Sequence, residues 1–365
     1  MDKKLNNKYI KILLTNRCNL KCNYCYEYNK KNINIQYDEL VKIIDKELIN
    51  HENYNYIKIQ FFGGEPLLEF EKMKSIVEYI KSKNIGNVRL AFTTNGTILT
   101  SKIKEWLLEN KNILSCQLSL DGCKKAHDIN RNNSFNKIDL DFFKSYSIEN
   151  PIRMTISSDT IGMMAESIIF CHENGFKVNC ALSKNTNIYN DDNLKKYIEE
   201  LNKLVKYYVD NPTIKVCSLL NILVENAYKF RNNDFIIKWC GAGKQSCSYD
   251  VDGCKYPCQM LMPTSENKRI NYDQFIFFEN IPLNLLNKRC TTCPLVHICN
   301  SCVAENYYDT GKLYVTKDEI CNFRKATIYY AKEIVKRRNN KDKLSKEVLE
   351  SFKIIDNVCD NFKLK

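Results

Sequence analysis

The sequence has no apolar run near the ~20 residues that a membrane-spanning helix needs. Its start, Met1-Asp2-Lys3-Lys4, leads directly into a mixed strand, without an apolar stretch and small-residue cleavage site. Neither a membrane protein nor an exported one is expected, and the cytoplasm is the expected location. There is no low-complexity linker and no internal repeat beyond a strand–helix period. Clustered charge is also scarce. Lys and Arg number 55 against 43 Asp and Glu, a net +12, but the basic residues are dispersed. The one dense run is Lys336-Arg337-Arg338, with Lys341 and Lys343 close behind. It reads as a solvated helix face or tail, so no nucleic-acid or membrane partner is expected.

With 365 residues, the chain is long enough for about two domains and a sizeable core without disulfide staples. At 44% hydrophobic and 27% charged it is ordinary globular material. Cysteine is the anomaly: 18 residues, far more than packing needs. A disulfide framework belongs to exported and usually short chains, so this many thiols in an intracellular chain point to metal or redox chemistry.

The first half alternates strands and helices. Strand-like runs fall at 9–14, 57–62, 88–93, 114–120, 152–157 and 177–182, with helix-like stretches around 38–50, 67–83, 101–110, 124–147, 162–174 and 191–209. This predicts an α/β fold, a partial (βα)6 TIM-like barrel whose chemistry gathers at the C-terminal strand ends. The expected domains are 1–235 for the barrel and its connecting helices, 236–326 for a loop- and hairpin-rich cysteine domain, and 327–365 for a terminal helix and a polar, frayed tail. The unusual loops sit at the strand ends: Cys18-x3-Cys22-x2-Cys25, Gly63-Gly64-Glu65-Pro66, Thr94-Asn95-Gly96-Thr97 and Ser119-Leu120-Asp121-Gly122. One such loop is an ordinary turn; four in succession on one face are a site.

Three thiolates are one short of tetrahedral zinc and one short of a fully ligated four-iron cluster. A [4Fe–4S] cluster here has one open iron; the plain alternative is zinc completed by a distant Cys or His. Cys-x3-Cys-x2-Cys, then Gly-Gly-Glu-Pro, then Thr-Asn-Gly, in this order, resemble the radical S-adenosylmethionine (SAM, AdoMet) enzymes over roughly residues 8–185. The resemblance implies that AdoMet chelates the open iron and is cleaved to a 5′-deoxyadenosyl radical, which abstracts hydrogen from the substrate. It implies metal ligation by Cys18, Cys22 and Cys25, and AdoMet contacts from Gly63, Gly64, Glu65 and Pro66. Tyr24 would flank the adenine, and Asn95 and Ser119 suit the ribose or carboxylate. Arg131 and Arg153 are both candidates for the carboxylate. Asp121 is read as shaping its own turn.

The segment 239–302 holds eight cysteines. It reads Cys240-Gly-Ala-Gly, Cys247, Asp252-Gly253-x2-Tyr256-Pro257-Cys258, then Cys290-x2-Cys293-x5-Cys299-x2-Cys302, with Cys321 beyond. On its own the Cys-x2-Cys-x5-Cys-x2-Cys run also fits a zinc ribbon. The whole order resembles the SPASM extension of peptide- and protein-modifying radical SAM enzymes, over about 236–326. That resemblance implies two auxiliary [4Fe–4S] clusters, one on Cys240, Cys247, Cys258 and Cys302, the other on Cys290, Cys293, Cys299 and Cys321. Cys254 is an alternative to Cys247. Cys116, Cys171, Cys180 and Cys217 read as buried packing residues, and Cys123, next to the active-site face, is a spare thiol. The Cys299–Cys302 spacing is one residue tighter than the family's usual x3. Where the anaerobic sulfatase-maturating enzymes carry an aspartate as proton acceptor after Tyr-Pro-Cys, this chain has Gln259, and an amide is no general base.

The resemblance therefore implies an anaerobic radical SAM oxidoreductase that modifies a ribosomally made peptide or protein side chain, by thioether or carbon–carbon linkage. Its expected partners are that substrate and an electron donor of flavodoxin or ferredoxin type. The first strand begins near Tyr9, so no leader-binding domain is expected ahead of it, and a separate leader-binding protein is a possible partner. The rivals are a sulfatase-type maturase and a non-catalytic cysteine-rich metal-binding protein.

Overall fold

The computed structural model describes residues 7–27, 32–146, 151–184, 187–221, 235–237, 240–263, 275, 280–299, 301–339 and 343–360. Parts of the expected cysteine domain (238–239, 264–274, 276–279 and 300), Lys341 of the basic run and the end of the tail (361–365) lie outside them. The chain divides into two compact units, neither a continuous stretch: Met1–Leu120, Arg131–Ile152 and Gly241–Phe277 form the first, and Asp121–Asn130, Arg153–Cys240 and Phe278–Lys365 the second.

The first unit is built on strands β1 (Lys8–Thr15), β2 (Ile57–Gly63), β3 (Val88–Thr94) and β4 (Leu114–Leu118), paired in parallel in the order β4-β3-β2-β1. Their runs are largely apolar because a parallel sheet is covered on both faces. Ile10, Ile12, Leu13, Leu14, Ile57, Ile59, Phe61 and Phe92 are all fully buried. Helix α1 (Tyr37–Leu48) covers it with Leu40, Ile43, Ile44 and Leu48, and α2 (Phe70–Ser82) with Met73, Ile76, Val77 and Ile80, both at helical spacing. In α3 (Ser101–Glu109) the side chain of Thr100 caps the Ile103 N–H. The single helix expected over 124–147 is two, α4 (Lys124–Asn130) and α5 (Leu140–Tyr146), because Asn132 and Asn133 turn left-handed at φ 55° and 53° between them.

Two later strands join this sheet. β8 (Ser246–Tyr249) runs parallel to β1, Ile10 opposite Cys247, and β9 (Lys255–Tyr256) folds back antiparallel on β8. The hairpin of the cysteine-rich region thus extends the sheet of the first unit. A buried carboxylate anchors it. Glu47 of α1 takes Lys8 Nζ at 2.8 Å and Lys255 Nζ at 2.9 Å and accepts the Tyr249 hydroxyl. Burial alone would raise its pKa, but these three donors outweigh burial and hold it down at about 2.

In the second unit β5 (Ile152–Ile156) and β6 (Val178–Leu182) pair with one another, and β7 (Phe235–Ile237) pairs antiparallel with β10 (Asn280–Pro282). The helices are α6 (Met164–Glu173), α7 (Asp191–Asp210), α8 (Lys288–Thr291), α9 (Val303–Thr310), α10 (Asp318–Arg338) and α11 (Lys346–Cys359). α7 and α10 pack together, Tyr197 Oη lying 2.7 Å from Thr327 Oγ1. The tail expected to fray is instead largely helical. Val348, Phe352, Ile355 and Cys359 recur on one face of α11 and are buried, an apolar stripe that the polar composition hides. Arg338 is likewise not a solvated residue of the basic run: it donates to the carbonyls of Tyr208, Asn211 and Ile214 at 2.6–3.0 Å, satisfying the C-terminal end of α7. Among the described residues no helix is long and apolar enough to cross a membrane.

A depressed carboxylate pKa adds stability above its unfolded value and loses it as pH falls through the folded one. Glu47→Gln is therefore expected to cost about 3 kcal/mol at neutral pH. The gap to the wild type should close as pH drops from 4.5 towards about 2. Chemical denaturation of both proteins at pH 7.5 and pH 3.5 measures it; an equal gap at both would show that the carboxylate charge is not what anchors the hairpin.

Candidate active site

β1 delivers the chain into the loop of Cys18, Cys22 and Cys25, all three half-buried. Thr15 Oγ1 accepts the Arg17 N–H at 3.0 Å, the Leu20 N–H points at Cys18 Sγ at 3.4 Å, and Cys25 N–H closes on the Cys22 carbonyl at 3.2 Å. The end of β2 lies directly against this loop. Gly64 donates to the Thr15 carbonyl at 2.9 Å and Glu65 to the Arg17 carbonyl at 2.8 Å. The two glycines are required by this approach. A Cβ on Gly63 would strike the Thr15 carbonyl oxygen, and one on Gly64 the Arg17 carbonyl and, at 2.8 Å, Cys18 Cβ.

Glu65 then turns inward. Only 1% exposed, its carboxylate accepts Leu67 N–H at 3.1 Å, Thr94 Oγ1–H at 2.8 Å and Asn95 N–H at 2.7 Å. It caps the short 3-10 turn Pro66–Glu69 and fastens it to the end of β3. Burial pushes its pKa up to about 7, although the three donors and the charge of Arg131 favour the anion. Asn95 continues the connection: its Nδ2 donates to Asn19 Oδ1 at 2.9 Å inside the three-cysteine loop, and its Oδ1 accepts both Thr97 N–H and Thr97 Oγ1–H. Asn19 closes the ring with a 2.7 Å bond to Thr97 Oγ1. Ser119, buried, donates its N–H to the Thr94 carbonyl. Thr94 and Thr97 belong to a motif loop and Asn19 lies inside the three-cysteine loop, but sequence alone assigns none of them a role of its own; the cross-loop bonds do.

The structure separates the two arginines. Arg131 belongs to the first unit, is buried, and places its guanidinium 5.5 Å from the ring centroid of Tyr24, beside the cysteines. Arg153 belongs to the second unit, where it donates to Asn179 Oδ1 at 3.3 Å and lines a cavity. Asp121 is structural, as its turn implied: its Oδ1 accepts the Thr155 N–H at 2.8 Å, and its own N–H donates to Nδ1 of the buried His127. Gly122 at φ 98° leaves no space for a Cβ against Ser167.

Cys290, Cys293, Cys299 and Cys321 are gathered in the second unit. Burial raises the Cys290, Cys293 and Cys299 thiols, and each is raised further by neighbouring thiols of this same set, Cys321 included. Of the other set, Cys240 and Cys302 lie in the second unit, and Cys247 and Cys258 in the first. Cys247 is buried in β8, its thiol pushed up to about 12 by burial, whereas Cys254 is exposed at the hairpin turn. Cys116, Cys171, Cys180 and Cys217 are buried, as expected, and so are Cys123 and Cys359. Among the described residues no three His, Cys, Asp or Glu side chains close on a single ion. Cys302 lines the second unit's cavity of about 430 Å³, together with Arg153, Lys184, Tyr189, Glu305 and Arg324.

This site lies within the segment that matches the Radical SAM superfamily, residues 12–141. An uncharacterised protein of Methanocaldococcus jannaschii is 32% identical over 230 residues, covering 58% of this chain and 78% of that protein. The chain belongs to the radical SAM superfamily. The radical SAM cyclopropyl synthase TigE of Paramaledivibacter caminithermalis is 23% identical over 360 residues, 91% of this chain and 75% of that enzyme. Among solved structures, native anSMEcpe with bound AdoMet and Cp18Cys peptide shares the fold at a TM-score of 0.66 and 22% identity, over 98% of this chain and 100% of that one. The fold likeness therefore extends past the α/β sheet into the C-terminal cysteine region.

Gly64→Ala should displace the three-cysteine loop. The expected result is a loss of about 1–3 kcal/mol in stability and weak iron loading at the N-terminal site. Gly86→Ala, where an added Cβ meets nothing within 4 Å, is the control. Iron and sulfide analysis after anaerobic reconstitution reads the difference, and equal iron in the two variants would refute the steric account.

Proposed function

We propose that this chain is an AdoMet-dependent radical enzyme that modifies a ribosomally made peptide or protein side chain. One observation carries the reading: a loop of three thiols is held by backbone contact against Gly64 and Glu65 and by side-chain bonds against Asn95. The donor set fits a [4Fe–4S] cluster with one iron left open, and the paired glycines leave the backbone at the loop bare of side chains. When bound, that cluster and AdoMet supply a carbon radical strong enough to take hydrogen from a substrate C–H bond.

The protein's part is placement. Cys18, Cys22 and Cys25 hold the cluster. Gly63, Gly64 and Pro66 shape the backbone whose carbonyls receive the AdoMet ammonium, and the buried Glu65 makes that corner attractive to a cation. Tyr24 flanks the adenine. Arg131, already beside Tyr24 and Glu65, is assigned to the AdoMet carboxylate in preference to Arg153. Asn95 and Ser119 face the ribose or carboxylate. The second auxiliary cluster is assigned to Cys290, Cys293, Cys299 and Cys321, supported by their mutual proximity. The first, on Cys240, Cys247, Cys258 and Cys302, is assigned on spacing alone.

A peptide substrate is supported by the fold shared with a peptide-bound structure, and carbon–carbon linkage in preference to thioether formation by the likeness to a cyclopropyl synthase. A flavodoxin or ferredoxin in the cytoplasm is the proposed electron source, and leader recognition, where the substrate requires it, falls to the core or to a separate protein. Formylglycine formation is disfavoured because Gln259 accepts from Lys11 Nζ at 3.0 Å, an amide held by a cation where a base would be needed.

The test is anaerobic incubation of reconstituted enzyme with dithionite and AdoMet, then mass spectrometry of a precursor peptide encoded beside it. Wild type should form 5′-deoxyadenosine and change the peptide mass. Replacing Cys18, Cys22 and Cys25 by Ala should abolish both while leaving the C-terminal iron. Arg131→Ala should raise the KM for AdoMet at least tenfold, about 1.4 kcal/mol, whereas Arg153→Ala should not. Nucleoside cleavage that persists without the three cysteines would refute the assignment.

A further inference from the structure

Two helices of the second unit start at assigned cluster ligands. Cys302 immediately precedes α9, and Cys321 lies in the first turn of α10. Three residues beyond each, on the same helical face, stand Glu305 and Arg324. Both side chains are largely buried, at 2% and 15% exposure, and Arg324 Nη2 lies 3.7 Å from Glu305 Oε2. Glu305 is held in turn by Lys184 Nζ at 2.6 Å and by the Tyr189 hydroxyl at 3.0 Å. Arg324 Nη1 donates to Thr316 Oγ1 at 3.3 Å, and Thr316 is fixed by Asn306, Asn287 and Arg289. The guanidinium charge favours the Cys299 thiolate, against the burial that raises this thiol. A buried, always-charged group thus stands one helical turn past Cys321, within electrostatic reach of Cys299, and is fixed there by Glu305 and Thr316.

We propose that Arg324, braced by Glu305, is a positioning residue that raises the reduction potential of the second auxiliary cluster through the Cys299 sulfur. This rests on the assignment of that cluster to Cys290, Cys293, Cys299 and Cys321. The physical reason is electrostatic. Uptake of one electron makes a thiolate-ligated cluster more negative. A cation near a ligand sulfur stabilises that reduced state more than the oxidised one, and charge and burial are among the factors that set cluster potentials. Glu305 both orients the guanidinium and offsets part of its charge.

The experiment is a potentiometric EPR titration of the full chain, reconstituted anaerobically, with Cys18, Cys22 and Cys25 changed to Ala so that only auxiliary signals remain. Arg324→Gln should move one signal to a more negative midpoint. At the unaltered midpoint the reduced-to-oxidised ratio should fall at least tenfold, which is 59 mV for one electron. Arg324→Lys, which keeps the charge, should recover part of that shift. Glu305→Gln should move the same signal the opposite way, and it decides the matter if Arg324→Gln does not load iron. A second auxiliary signal present at full iron content, with its midpoint unmoved in every loaded variant, would overturn the role of Arg324. Absence of that second signal from the parent protein would overturn the four-cysteine assignment itself.

Discussion

The site depends on how closely the end of β2 approaches the start of the three-cysteine loop. Two backbone bonds, Gly64 to Thr15 and Glu65 to Arg17, bring the segments to a separation that admits hydrogen at Gly63 and Gly64 and nothing larger. The rest of the site is set by that contact. It delivers Glu65 to a buried position where its carboxylate gathers donors from its own turn and from the end of β3. It also lets Asn95 reach Asn19, so that the third strand end is tied back to the first. A short loop between cysteines has little reason to hold one shape; here three strand ends define it, and a cluster ligand set needs such preorganisation.

A second constraint brings the cysteine-rich region to this sheet. β8 is only four residues, Ser246-Cys247-Ser248-Tyr249, with Tyr249 its one strong strand former, yet it pairs in parallel with β1 over Tyr9–Ile12. The pairing holds because Glu47 collects a lysine from β1, a lysine from β9 and a tyrosine from β8 on one buried carboxylate. A buried charge with three donors is specific in a way that apolar packing is not, since only this register brings the donors together. Cys247 is consequently fixed opposite Ile10 in the sheet.

Much of this was legible in the sequence. The alternation of apolar runs with amphipathic stretches places β1–β6 and most helices within a residue or two, because hydrophobic period is a local property. The motif loops at the strand ends were legible because their residue types are rare in combination. The division of the 124–147 stretch turned on two asparagines taking left-handed backbone, which composition does not announce. α11 was obscured by its charged neighbours, although its apolar residues keep helical spacing. β8 was illegible for a different reason: its pairing is decided by Glu47, some 200 positions away in the chain. The Glu305–Arg324 pair could have been found from one signal, an acid and a base each three residues past a ligand cysteine at the start of a helix.

In the proposed reaction, Gln259 bears on the steps after hydrogen abstraction. Once a C–H hydrogen is removed, an oxidative outcome still requires loss of one electron and, commonly, one proton. A carboxylate after the Tyr-Pro-Cys cysteine takes that proton in the sulfatase-type route. Here the position carries an amide whose oxygen is occupied by the Lys11 ammonium, a donor that stabilises negative charge and cannot take a proton while charged. The proton must then leave through the substrate itself, through solvent, or through a group elsewhere in the chain. Carbon–carbon bond formation and oxidation of a serine or cysteine both release a proton after the hydrogen atom is gone, and Gln259 accepts it in neither case. Gln259 is thus one chemical difference from the sulfatase-maturating enzymes that this sequence resembles, and it moves the question of the proton to another part of the chain.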